Sequence, residues 1–157
     1  MNPEQLLDQR AIVELTVRYC WALDERNFEA LRSIFSPDCT ALYGRLHLVG
    51  VEQVMARCQR ALEILDASQH LVSTHQVNIV GDSATCRCYF HAQHVRHGAA
   101  SELDPSPNFV VAGRYTDDLV RTGQGWRIRR RVLADMWTHG NVRVVSPLAA
   151  NQPAHGH

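Results

Sequence analysis

In YCWALDERNFEALRSIF (19–35) an acid stands where a helix should end. Asp24 follows Trp21-Ala22-Leu23, and a carboxylate there faces the negative end of the helix dipole. Such an acid is either a turn residue capping the next helix or a group held there for chemistry. Two other stretches carry chemical side chains. HAQHVRH (91–97) invites a metal reading, but in a strand His94 faces away from His91 and His97, so the three do not converge on one ion. RIRRR (127–131) invites a nucleic-acid reading. Lys plus Arg equals Asp plus Glu at 16 each, and no aromatic platform is interleaved with the run, so nucleic acid is not expected as a partner. Strand alternation puts Arg127, Arg129 and Arg131 on one face and Trp126, Ile128 and Arg130 on the other. The chain has no G-x-G-x-x-G, Walker loop, G-x-S-x-G or H-E-x-x-H, so neither a nucleotide cofactor nor serine hydrolysis is expected. No cofactor and no metal are expected at all.

The elements that must carry these residues follow from periodicity. Pro3 to Leu23 reads as a helix with Asn2 as cap and Ile12, Leu15, Tyr19, Ala22 and Leu23 along one side. Asn27 is placed to cap a second helix, Phe28 to Phe35, ended by Pro37. A short hairpin, Cys39–Tyr43 and Leu46–Val49, turns at Gly44-Arg45. A third helix runs from Val51 to about Asp66. Period-two strands follow at 69–79, 84–97, 109–121 and 125–134, and the loop GAASELDPSPN (98–108) is the expected mobile element. The tail 146–157 has no pattern, which leaves one domain over 1–145. Three helices before long, mainly antiparallel strands is an α+β order, and a twisted sheet curled over helices encloses a cone. Five cysteines form an odd set without a C-x-x-C pair, so neither a disulfide framework nor zinc is expected, and Cys86 and Cys88 read as core residues. With no apolar leader at the N-terminus and no run long enough to span a membrane, a reducing cytoplasm is the expected location and no membrane partner is expected.

RYCWALDERNFEALRSIFSPDC near the start and GRYTDDLVRTGQGWRIRRRV near the end give this order a resemblance to the nuclear-transport-factor-2-like superfamily, in its SnoaL-like branch. The resemblance covers roughly residues 5 to 145 and implies the cone-shaped cystatin-like fold. That fold hosts dehydratases, isomerases, cyclases, epoxide hydrolases and non-catalytic subunits, so function must be argued from the site. In the dehydratase-type members (scytalone dehydratase, bile-acid dehydratase, lindane dehydrochlorinase) an aspartate ending the first helix pairs with a histidine on the strand after the third. Those positions match Asp24 and His70. Bile-acid dehydratase also matches Tyr19 and, on the last strand, Arg131. The general-base aspartate of ketosteroid isomerases falls where this sequence has Ala41-Leu42-Tyr43, which counts against that mechanism. Tyr43 instead matches a second pocket tyrosine of scytalone dehydratase.

The resemblance implies a cofactor-independent, dehydratase-type lyase acting on a small hydrophobic, cyclic molecule. His70 would be the general base, Asp24 would fix its tautomer, and Tyr19 and Arg131 would hold developing charge. Trp21, Tyr43, Phe90, Phe109 and Trp137 read first as core aromatics, some of which would form the wall against the substrate. An isomerase, cyclase or epoxide hydrolase would use the same cone. A ligand-binding protein, or the small subunit of a ring-hydroxylating dioxygenase, would use the fold without chemistry. Val110, Ala112, Val120 and Val132 on the outer sheet face lead to the expectation of a homodimer or homotrimer.

Overall fold

A computed structural model describes residues 2–146. The tail beyond Ser146 lies outside the described residues. Helix α1 spans Pro3–Asp24. Asn2 caps it: its side chain accepts from the Gln5 backbone N–H, and the Gln5 side chain accepts from Asn2 N–H in return. The buried side of α1 is Ile12, Leu15, Thr16, Tyr19, Cys20, Ala22 and Leu23, which makes its C-terminal half the half that packs.

The second helical segment differs from expectation. Phe28–Ser33 is a 3-10 turn, and the Asn27 side chain makes no cap bond. Phe35 already begins strand β1, Phe35–Tyr43, and Pro37 lies inside that strand. The ladder to its neighbour is irregular between Phe35 and Thr40, which is where a residue without an N–H is tolerated. Strand β2 is Leu46–Val49, and α2 spans Val51–Leu62, four residues shorter than expected. The long strands are β3 (Ala67–Val80), β4 (Ser83–Val95), β5 (Asn108–Thr122) and β6 (Gly125–Gly140).

All six strands form one sheet in the order β2-β1-β6-β5-β4-β3. Every pairing is antiparallel except β1 with β6. The architecture is α+β: three helical segments on a curved, mixed but mainly antiparallel sheet. Its inner face meets α1 and α2 over a core that includes Tyr19, Leu31, Phe35, Val54, Phe90, Tyr115 and Ile128.

Three bulges decide which side chains point inward. On β3 one extra residue intervenes between Ser73 and Gln76, and Thr74 there has φ +59°. On β6 the ladder to β5 skips a residue between Ile128 and Arg130, and again between Asp135 and Trp137. The first β6 bulge leaves Arg129 unpaired and moves Arg131 to the face of Trp126 and Ile128. This corrects the simple alternation, which put Arg131 on the opposite face. The loop before β5, expected to be mobile, is tied down: Asn141 Nδ2 donates to the carbonyls of Ala99 (3.1 Å) and Ser106 (2.9 Å). No helix of the described residues is long and apolar enough to cross a membrane.

Candidate active site

The C-terminal end of α1 abuts the start of β3, where Ser68 and His70 share the inward face. Asp24 bridges the two elements. Its Oδ1 accepts from His70 Nδ1 at 2.6 Å and from Ser68 Oγ at 2.9 Å, and its Oδ2 accepts from the His70 backbone N–H at 2.8 Å. These donors offset the cost of an acid at the negative end of the helix dipole. Burial pushes the Asp24 carboxyl up, but the hydrogen bonds from the His70 ring and backbone, the His70 charge and the Ser68 hydroxyl together hold it below the usual value. The carboxylate acceptor requires a hydrogen on His70 Nδ1, so the neutral ring carries its lone pair on Nε2.

The His70 side chain is 6% exposed and stands on the wall of a cavity of about 680 Å³. Apolar side chains dominate that wall: Leu23, Ala61, Leu62, Phe90, Phe109, Val111, Tyr115 and Leu133 among them. His94 lines it too, its ring edge-on to His70 with centroids 5.8 Å apart. The Phe109 carbonyl accepts from His94 Nδ1 at 3.2 Å. Burial, with the His70 charge added, pushes the His94 imidazole down to about 4. It is therefore neutral at pH 7 and presents Nε2 as an acceptor.

On another part of the wall the hydroxyls of Tyr19 and Tyr43 meet at 2.9 Å, and Cys58 Sγ lies 3.7 Å from the Tyr19 oxygen. Burial raises the pKa of both phenols far above their ordinary value, so they act as neutral hydrogen-bonding groups.

The structure thus brings His70, Tyr19, Tyr43, Phe90 and Phe109 to one cavity, while Asp24 is bonded to the His70 ring from behind and lines a separate groove. Three expected site residues fall elsewhere. Trp21 is 63% exposed on the outer side of α1, and Trp137 is 51% exposed on the outer sheet face, where it meets the His91 ring. Helix phase turns Trp21 outward, and the second β6 bulge turns Trp137 outward. Arg131 is fully buried but absent from the cavity wall. Its Nε and Nη2 donate to the Asp117 carboxylate at 2.8 and 2.7 Å. The guanidinium carbon lies 4.3 Å from the ring centroids of both Tyr19 and Tyr115. That fork is committed to Asp117, so the expected part in holding a departing group does not follow from its placement.

Sequence reasoning missed Asp135 and Asp117 and left His94 open. Asp135 lines the cavity from an exposed position; its carboxylate has no hydrogen bond or ion pair among the described residues, and partial burial raises its pKa. Asp117 had a signal: in Tyr115-Thr116-Asp117 an inward Tyr115 turns Asp117 inward, and a buried acid needs a cation. Among the described residues no cluster of three or more His, Cys, Asp or Glu could hold a metal. His91 and His94 point to opposite faces, and His97 opens a 3-10 turn.

A family model for the SnoaL-like domain matches residues 4–132. The chain belongs to that family. An uncharacterized protein of Mycobacterium tuberculosis strain H37Rv is 29% identical over 137 residues, covering 84% of this chain and 88% of the relative. A counterpart in Mycobacterium bovis matches equally well. Among solved structures, a protein from Kribbella flavida superposes with a TM-score of 0.83 at 23% identity, covering 90% of this chain and 99% of the other. A putative scytalone dehydratase from Novosphingobium aromaticivorans gives 0.78 at 24% identity, covering 97% and 100%. The structure of LinA gives 0.75 at 17% identity, covering 87% and 90%. At these identities the structural matches establish the SnoaL-like, NTF2-like cone and nothing finer.

Proposed function

We propose that this SnoaL-like protein is a cofactor-independent lyase that eliminates water, or another small leaving group, from a compact hydrophobic cyclic molecule. One observation carries the reading: the 2.6 Å hydrogen bond that Asp24 accepts from a His70 ring standing on the wall of an apolar cavity. An acid that only capped a helix would not need an imidazole on the wall of an apolar cavity. In the proposed reaction His70 Nε2 takes a proton from a carbon next to an activating carbonyl. The C–H electron pair becomes the new double bond, and the leaving oxygen departs with the electrons of its bond to carbon. The imidazolium, stabilised by Asp24, returns the proton to that oxygen, so that water leaves. Tyr19 and Tyr43 supply hydroxyl donors to oxygen atoms of the substrate. Arg131, bound to Asp117 and set against the rings of Tyr19 and Tyr115, acts as a structural cation beneath the site. The apolar wall accommodates the ring skeleton and strengthens each polar contact by excluding water.

The putative scytalone dehydratase and LinA share the cone, which is consistent with this reading. A panel of cyclic hydroxy-ketones and related alcohols tests it, with turnover and affinity measured on the same proteins. His70→Ala should lose about 10²–10⁴-fold in turnover while retaining most of its affinity. Asp24→Asn should follow in the same direction. Normal turnover by His70→Ala would assign the base elsewhere. Ligand binding without turnover, in wild type and variant alike, would make the protein a carrier or a non-catalytic subunit.

A further inference from the structure

Arg26 occupies a backbone conformation that L side chains rarely adopt, with φ +59°. The turn folds its side chain back over the end of α1. There Nη1 donates to the carbonyl of Leu23 at 2.7 Å and to Ser68 Oγ at 2.8 Å, with a longer contact to the Asp24 carbonyl at 3.4 Å. A guanidinium only donates, so its bond occupies a lone pair of the Ser68 oxygen and leaves the hydroxyl hydrogen for Asp24. The direction of each bond is therefore fixed: Arg26 donates to Ser68, Ser68 donates to Asp24 Oδ1, and that same Oδ1 also accepts from His70 Nδ1. Neither Arg26 nor Ser68 lines the apolar cavity. Both line a separate groove behind Asp24, with Glu63, Leu65, Asp66 and Ala67. The Asp24–His70 pair thus has an apolar side, where the imidazole meets the ligand space, and a polar side, where a cation and a hydroxyl grip the carboxylate.

We propose that Arg26 and Ser68 are positioning residues that limit how much negative charge Asp24 lends to His70, and so set the basicity of that imidazole. The catalytic meaning of this rests on the lyase reading above. The physical argument is competition at one oxygen. Each hydrogen bond donated to Oδ1 stabilises the anion and draws density from the bond to Nδ1–H. Remove the Ser68 hydroxyl, or the cation that orients it, and the carboxylate turns more of its charge on the ring. The imidazolium is then favoured and His70 binds its proton more tightly. The charged and titratable groups around this centre are Asp24 and Arg26 at the end of α1, His94 on β4, and Glu63 and Asp66 across the groove after α2; Arg57 and Arg60 on α2, Asp135 on β6 and the phenols of Tyr19, Tyr43 and Tyr115 line the same cavity as the His70 ring. Only Arg26 and Ser68 are altered in the test.

The test needs no substrate. Nitrogen-15 spectra of the histidine side chains in the full chain report both the tautomer of His70 and its titration midpoint. Ser68→Ala and Arg26→Gly should each raise that midpoint by about half to one pH unit, a part of the roughly one to two units that a whole hydrogen bond to a charged acceptor is worth, because the effect reaches the ring through Asp24. Glycine is chosen because it adopts the Arg26 backbone conformation without strain, so that variant folds even if Ser68→Ala does not. Ser68→Thr, which keeps the hydroxyl, should restore the wild-type midpoint. A midpoint unchanged or lowered in either folded variant overturns the proposal. Asp24→Asn in the same experiment tests the underlying pair separately: its His70 midpoint should fall. If it does not move, the Asp24–His70 reading fails whatever Ser68 does. Where a substrate is known, the acid limb of the kcat/KM profile should shift with the midpoint, which a merely structural role of Ser68 would not produce.

Discussion

At the scale of single residues, His94 and Asp135 show how the cavity charges free energy for ionisation. Burial pushes the His94 imidazole from its ordinary 6.5 down to about 4 in the folded chain. Between those values the unfolded chain binds the extra proton and the folded chain does not, so stability is fully present above pH 6.5 and is lost as pH falls towards 4. Urea unfolding should show a loss of about 2 kcal/mol between pH 7 and pH 5 from this group alone. His94→Gln should flatten that part of the profile. Asp135 has the opposite sign. Its folded pKa lies above the ordinary carboxylate value, so ionising it costs stability as pH rises past 3.8. Asp135→Asn should raise the melting temperature at pH 7, and the gain should shrink as the pH is lowered towards 4. Of these residues the sequence announced Asp24, because an acid at the wrong end of a helix dipole demands a reason. His70 came from the resemblance; alone it was one histidine among nine. Asp135 could not be read, because its inward direction depends on a bulge that alternation does not reveal.

At the scale of elements, the helices and strands were legible where one periodicity ran unbroken. Helix α1 and strands β3 to β5 lie within a few residues of expectation. Two misreadings have local causes. Pro37 suggested a helix stop, yet it is absorbed by the irregular start of β1. Strand β6 continues six residues past the expected end at 134, because the bulge at Met136 breaks the alternation there. The bulge at Arg129 has the larger consequence, since it drives a guanidinium into the core beside Asp117. Removing one partner leaves the other charge buried and unpaired. Arg131→Ala should therefore cost about 3–5 kcal/mol in urea denaturation. The joint change Arg131→Met with Asp117→Leu should recover most of that loss, because an apolar pair of similar volume avoids the desolvation of both charges. Recovery absent in the double variant would mean that the rings of Tyr19 and Tyr115 need the cation itself.

At the scale of the whole molecule, the sheet has an outer face that no helix of the described residues covers. Leu71, His91, Ala112 and Trp137 form one row across β3, β4, β5 and β6, with Tyr89 and Met136 nearby. Leu71, Tyr89, Met136 and Trp137 are all exposed. Val110, Val120 and Val132 are half-buried on that face and Ala112 is buried, so the expected strip is less open than its neighbours. We expect a homodimer or homotrimer through this surface. Light scattering at micromolar concentration should give a multiple of 17.7 kDa. Leu71→Glu with Trp137→Lys should reduce it to the monomer mass, and a wild-type monomer would refute the assembly. The five cysteines add a consequence of a different kind. All are free and buried. Burial lifts the thiols of Cys20, Cys86 and Cys88 to about 12 and that of Cys39 to about 11. Those four have almost no thiolate at neutral pH, so an alkylating reagent must wait for the chain to open. Burial raises the Cys58 thiol as well, but Cys58 alone among the five borders the cavity. Its labelling should be slowed by any molecule that occupies the cone, while the other four keep time with unfolding. The protein thus carries its own occupancy gauge and its own unfolding clock, readable by mass spectrometry before any substrate is known.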